Sequence, residues 1–278
     1  MILREARLPA GWYPRDREQI EAFLRPYGST RGSSSAAIAP HAGWHYSGTG
    51  AALALCSLDP RIDTLVLIGG HLRKGMPVLS APEEGLKTPL GTMRIDKELQ
   101  RAFEELLECQ SDTYMDNTIP VLLPMAHYFF PEAAVLWLRF PADISSYTAG
   151  ELIWEAARSI KRPIGLIASA DLTHYGDSYG FTPQGRGQAA LEWVRNHNDA
   201  ALIEAILKGD APEVLSRSEK DSSTCSVGAI LGALGFIAAK GKTCPLGPKV
   251  LLDYRTSADA DPGSDISSFV GYGTISLG

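Results

Sequence analysis

Cysteine is scarce in this chain: four residues in 278, at Cys56, Cys109, Cys225 and Cys244. That number and uneven spacing exclude a disulfide framework, so each thiol is read as core filler, metal ligand or nucleophile. Positive charge is also in short supply. Lys and Arg number 26 against 32 Asp and Glu, the formal net charge is -6, and no long basic run is present, which excludes a nucleic-acid surface and leaves a small molecule or a peptide as the expected partner. No apolar run is long enough to span a bilayer, and Met1-Ile2-Leu3-Arg4-Glu5-Ala6-Arg7 puts charge where a secretory signal has its apolar core. The expected location is the cytoplasm, with no membrane partner. Repeats, low-complexity segments and long Ser/Gly/Pro linkers are missing too, so residues 1–278 are expected to form one domain.

What is present is a repeated grammar. Three apolar, strand-like runs each break into a small-residue turn that delivers a histidine: Ala36-Ala37-Ile38-Ala39-Pro40-His41, Leu65-Val66-Leu67-Ile68-Gly69-Gly70-His71, and Ile164-Gly165-Leu166-Ile167-Ala168-Ser169-Ala170-Asp171-Leu172-Thr173-His174. As neighbouring parallel strands, they would end on one edge of the sheet, where open α/β folds place their ligands. Several donors brought to one edge point first to a metal site.

Helical periodicity covers Asp16 to Arg25, Gly48 to Leu55, Lys97 to Leu107, Thr148 to Ile160, Gly187 to Asn196, Ala200 to Leu207 and Ser226 to Ala239. Further strand-like runs occupy Ala134 to Leu138, Lys249 to Tyr254 and Phe269 to Leu277. Alternating strands and helices predict an α/β fold, a single three-layer α/β/α domain with a mostly parallel central sheet. The last two strands have no long helix between them, which predicts an antiparallel pair at one edge. Gly75 to Asp96, rich in Pro and Gly, is expected to loop around the sheet.

Cys225 follows Asp221-Ser222-Ser223-Thr224 and precedes a small-residue helix beginning Ser226-Val227-Gly228. The positive end of a helix dipole favours thiolate, as either soft ligand or nucleophile. Cys56, Cys109 and Cys244 lack such a setting and are read as structural. Trp12, Tyr13, Trp44, Tyr46 and Tyr175 have two readings, as pocket walls or as core.

Taken in order, the landmarks resemble those of the Memo family, called AmmeMemoRadiSam system protein B in prokaryotes. They are Gly11-Trp12-Tyr13-Pro14, Pro40-His41-Ala42-Gly43-Trp44 with Tyr46 and Gly48, and Gly70-His71. Thr88-Pro89-Leu90-Gly91 with Ile95-Asp96, Ser169-Ala170-Asp171-Leu172-Thr173-His174-Tyr175-Gly176, and Cys225-Ser226-Val227-Gly228 complete the set. The resemblance implies a fold similar to the non-haem iron dioxygenases that open catechol rings by extradiol cleavage (the LigB type). It implies metal binding by His41, His71 and Cys225, with Asp171 and His174 lining the same pocket to orient substrate or move protons. Iron(II) is the first expectation, with copper and zinc also compatible with two imidazoles and a thiolate. It also implies two partners, a radical S-adenosylmethionine protein and an AMMECR-type protein.

Two departures stand out. Where the family pattern carries Glu-His-Ser-x-Glu, this chain has Asp116-Asn117-Thr118-Ile119-Pro120, and Asn117 cannot shuttle a proton near neutral pH as histidine can. His45 stands where a smaller polar residue is expected and is read first as an exposed histidine. Three functions follow as expectations: a metal-dependent oxidoreductase; a metal-free hydrolase or acyl transferase with Cys225 as nucleophile, His174 or His41 as base and Asp171 as orienter; or a ligand-binding module without turnover.

Overall fold

The computed structural model describes residues 2–5, 8–28, 32–263 and 266–278. The chain begins with β1 (Leu3–Glu5), α1 (Arg17–Leu24), β2 (Ala36–Ala39), α2 (Trp44–Ser57) and β3 (Thr64–Leu72). There follow β4 (Val78–Ser80), β5 (Gly85–Thr88), β6 (Gly91–Arg94), α3 (Lys97–Glu104) and β7 (Cys109–Ser111). Next come α4 (Leu123–Phe129), β8 (Ala134–Pro141), α5 (Ser145–Ser159), β9 (Ile164–Ser169) and β10 (His174–Gly176). The last part holds α6 (Gln188–Trp193), α7 (Asp199–Lys208), α8 (Ala211–Asp221), α9 (Val227–Gly241), β11 (Lys249–Thr256), α10 (Ser257–Ala260) and β12 (Ser268–Leu277).

The histidine-bearing strands lie side by side. The main sheet runs β10-β12-β2-β9-β3-β8-β4-β7, with β11 on β12. β2 pairs in parallel with β9, and β9 with β3, so Ala39 faces Ser169 and Ile68 faces Ala168. β12 is antiparallel to β2, β10 and β11, which gives the antiparallel edge expected from the missing crossover helix.

Strand periodicity sorts the core into two layers. Ile38, Val66, Ile68, Leu136 and Leu166 pack on one face with α3, α5, α7 and α9, while Ala37, Leu65, Leu67, Trp137 and Ile167 pack on the other with α1, α2 and α4. Helices therefore cover both faces, which is why these strands read as continuous apolar runs rather than alternating ones. Glycine sets the spacing on the first face. A Cβ on Gly150 of α5 would lie 1.9 Å from the Gly232 carbonyl, and one on Gly235 of α9 1.9 Å from that of Tyr147. Only hydrogen at these positions lets α5 and α9 approach so closely.

Residues 75–96 correct the sequence reading. They form β4, which joins the main sheet, and the β5–β6 hairpin, which makes a second three-stranded sheet with β1. Leu86 and Met93 point inward from that hairpin and are buried; an alternation this brief is masked by the flanking Pro and Gly. The α4 helix was hidden in the same way by Pro120 and Pro124, and α8 by its polar face. The two helices expected over 187–207 run on through a π turn, Val194–Asn198.

Candidate metal centre

His41 leaves the end of β2 through Pro40 and is almost wholly buried, at 1% exposure. Its backbone N–H donates to Asp171 Oδ1 at 2.7 Å, and its Nδ1 lies 2.9 Å from Ser169 Oγ at the end of β9. The Ser169 hydroxyl donates to the Thr118 carbonyl. A hydroxyl has one proton to give, so Ser169 accepts from His41, and Nδ1 of His41 carries the hydrogen. Nε2 is therefore the nitrogen that faces Cys225, whose Sγ is 3.3 Å away.

His71 is aimed by the backbone. It sits where β3 slips register against β8, between Gly69 and Leu72, and its φ is 61°. A left-handed conformation in a residue with a Cβ is held only when its surroundings demand it. Gly70 beside it must lack a side chain, since a Cβ there would lie 2.2 Å from Ser226 Oγ. His71 Nδ1 is 2.7 Å from Asp116 Oδ2, and Arg139 Nη1 is 2.8 Å from the other carboxylate oxygen. Arg139, 1% exposed, also reaches Asp112 and the Gly70 carbonyl. Burial works against the Asp116 charge, but the hydrogen bond from His71 and the Arg139 guanidinium overcome it and hold this carboxyl well below the usual range. Asp116 thus accepts, Nδ1 of His71 donates, and Nε2 is again the nitrogen that faces the centre.

Cys225 stands one residue before Ser226, the N-cap of α9. Burial alone would push its thiol up; the charge on His41 and the neighbouring imidazoles of His174 and His71 outweigh that and lower it well below the ordinary cysteine value. The ligand atoms of His41, His71 and Cys225 all lie within 4.8 Å of one another. Two imidazoles with their outer nitrogens tied to acceptors, plus a thiolate, make a donor set that fits a borderline divalent ion.

Asp171 and His174 flank the triad without a helical turn between them. The chain crosses from β9 to β12 here, the Leu172 N–H bonding to the Gly271 carbonyl, and this brings Asp171 Oδ2 to 3.7 Å from His41 Nε2 and 3.9 Å from His174 Nε2. His174 Nε2 is buried and has no hydrogen-bond partner among the described residues. Burial opposes charge on His71 and His174, but Asp116 beside one, Asp171 beside the other and Cys225 facing both push each up to about 10. The five residues singled out from the sequence are therefore brought together.

Four of them, His41, His71, Asp171 and His174, line a cavity of about 870 Å³ whose wall also includes Trp12, Tyr46, Asn117, Tyr179 and Tyr272. Of the aromatics with two readings, Trp12 and Tyr46 face this cavity, while Tyr13, Trp44 and Tyr175 are buried core at 4%, 4% and 1% exposure. Asn117 donates from Nδ2 to the His41 carbonyl at 3.0 Å, a tie rather than a proton shuttle. His45 lies outside the triad, on the first turn of α2, with Nε2 2.9 Å from Asp261 Oδ1. Cys56 is buried, and Cys109 has its thiol pushed up to about 12 by burial; both fit the structural reading.

Sequence reasoning gave no role to Ser169, Asp116 or Arg139. Ser169 at a strand end next to the Asp171–His174 segment was a usable signal. Asp116 and Arg139 had none, because their importance comes from contacts 45 and 69 residues away in the chain.

Residues 4–276 match the sequence family described as Memo-like protein. A MEMO1 family protein of Pyrococcus abyssi is 28% identical over 295 residues, covering 99% of each chain. Another from Methanosarcina acetivorans is 32% identical over 247 residues, covering 86% of this chain and 84% of that one. One from Archaeoglobus fulgidus is 28% identical, covering 98% of each.

Proposed function

Because this chain belongs to the Memo-like protein family, we propose that it is a metal-binding protein in which His41, His71 and Cys225 hold one ion, iron(II) before copper or zinc, and that it works as a non-haem metal-dependent oxidoreductase. The observation that carries this reading is the pair of outer-nitrogen hydrogen bonds, His41 Nδ1 to Ser169 and His71 Nδ1 to Asp116. Each fixes the tautomer and ring plane that ligation through Nε2 requires.

A bound redox-active ion would supply a centre at which oxygen or an oxidisable substrate is activated. The chain does the rest. Asp171 holds the His41 backbone in place, and the unbonded Nε2 of His174 is the atom that takes or gives a proton on the substrate. The partners proposed from the family resemblance are a radical S-adenosylmethionine protein and an AMMECR-type protein, acting with this chain in the cytoplasm on a shared small-molecule or peptide substrate. No helix among the described residues is long and apolar enough to cross a membrane.

The test is metal content after anaerobic purification, wild type against His41→Ala, His71→Ala and Cys225→Ala. About one iron or copper per chain, lost in all three, supports the site. The 3.3 Å approach of His41 Nε2 to Cys225 Sγ favours a second reading, a metal-free hydrolase or acyl transferase with Cys225 as nucleophile. A metal-free wild type whose Cys225 reacts rapidly with iodoacetamide would favour that reading instead. Anaerobic capture from the native host tests the partners.

A further inference from the structure

Beyond the triad, the cavity continues between Asp261 and His174, and its walls there are unusually phenolic. Tyr46 and Tyr179 expose 38% and 47% of their surface, while Tyr272, at 3%, lines the same cavity from β12. Several contacts place these groups along one stretch of wall. The His45 ring meets Asp261 at 2.9 Å and the Tyr46 ring edge-on at 4.8 Å, and Tyr179 meets the His174 ring at 4.8 Å. The phenols of Tyr46 and Tyr179 both act electrostatically on Tyr272, as does Asp171. Three tyrosines thus share one cavity with two carboxylates, Asp171 facing His41 and His174, and Asp261 facing His45.

We propose that Tyr46, Tyr179 and Tyr272, with Asp261 beside them, form a subsite for an organic ammonium group on the ligand. An aromatic ring attracts a cation through its negative face, and a nearby carboxylate adds a charge that a neutral group of the same shape does not feel. Burial pushes the Tyr179 and Tyr272 hydroxyls above their ordinary range, so the phenols stay neutral. The exposed rings of Tyr46 and Tyr179 leave apolar surface of this cavity in water, which an ammonium with its methyl or methylene groups covers. The inference deepens the metal-site reading by naming the chemistry of the substrate end that lies away from the ion, and it rests on this cavity being the substrate site.

The experiment titrates the purified full chain with choline and with dimethylbutanol, its isostere in which carbon replaces the nitrogen, following binding by calorimetry. Choline is expected to bind about tenfold more tightly than the neutral isostere. Tyr179→Phe, which keeps the ring, should retain that preference; Tyr179→Leu and Asp261→Asn, both at exposed positions, should bring the two affinities together. Equal binding of the two probes by wild type, no binding of choline, or a preference unchanged in Tyr179→Leu would overturn the proposal. Metal content measured on the same samples separates the two readings. A choline preference in metal-free protein would leave the subsite standing and remove the metal site, whereas bound metal without the preference would do the reverse.

Discussion

Asp116 Oδ2 lies 2.7 Å from His71 Nδ1, and the same carboxylate is held from its other side by Arg139 at 2.8 Å. The pair fixes one ligand of the candidate centre from outside it. Outer hydrogen bonds of this kind set ring orientation and basicity, and their loss ordinarily weakens metal affinity by about 10–100-fold. Asp116→Asn is expected to do so here, read by competition against a chromophoric chelator. An unchanged affinity would mean that His71 does not ligate through Nε2.

Ser169 does the same for His41 from a different strand. Ser169→Ala removes both the acceptor for His41 Nδ1 and the donor to the Thr118 carbonyl, leaving two buried groups unpaired. The expected cost is about 1–3 kcal/mol of stability per unpaired group, measured by urea unfolding of metal-free protein, with a separate loss of metal affinity in the folded variant.

Metal binding should release protons. His71 is pushed up to about 10, so at neutral pH it carries a proton that ligation through Nε2 displaces. Apparent metal affinity is then expected to rise with pH by about tenfold per unit for each proton released. A chelator competition run across neutral pH checks the slope, and a flat profile would count against His71 as ligand.

Asp199, wholly buried, accepts from the Thr173 N–H and hydroxyl and from Tyr254, yet burial pushes its carboxyl up to about 6. A raised carboxyl pKa means that the fold favours the protonated form. Its contribution is therefore complete below the ordinary carboxylate pKa and is lost as pH rises through about 6. Compared with Asp199→Asn, wild type should lose on the order of 1–3 kcal/mol between about pH 4 and pH 7, seen as a difference between the two melting curves.

Gly235 tests the packing of α5 on α9. Gly235→Ala puts a methyl group 1.9 Å from the Tyr147 carbonyl, and the backbone cannot yield without separating the helices. A loss of more than about 2 kcal/mol is expected from overpacking, against about 1–2 kcal/mol for an alanine at Gly185, where a Cβ has open space but φ is +72°; that second variant measures backbone strain alone.

The sequence by itself determined the layered α/β arrangement and the five residues His41, His71, Asp171, His174 and Cys225. Both rest on local rules: apolar runs long enough to be buried strands, small-residue turns that end them on one edge, and, for Cys225, a turn that opens a small-residue helix. Tertiary structure decided everything that depends on which distant segments meet. Asp116 and Arg139 matter only because the 112–118 segment passes behind the end of β3, and a sequence offers no pattern for a contact between an ordinary aspartate and a histidine 45 residues away. The bulge that aims His71 at the centre is likewise a compromise between β3, β8 and the start of α9, not a preference of histidine. The aromatic residues divided on the same principle. Trp44 and Tyr46 are two residues apart at the start of α2, and that separation turns one ring into the core and the other into the cavity once the helix is docked on the sheet.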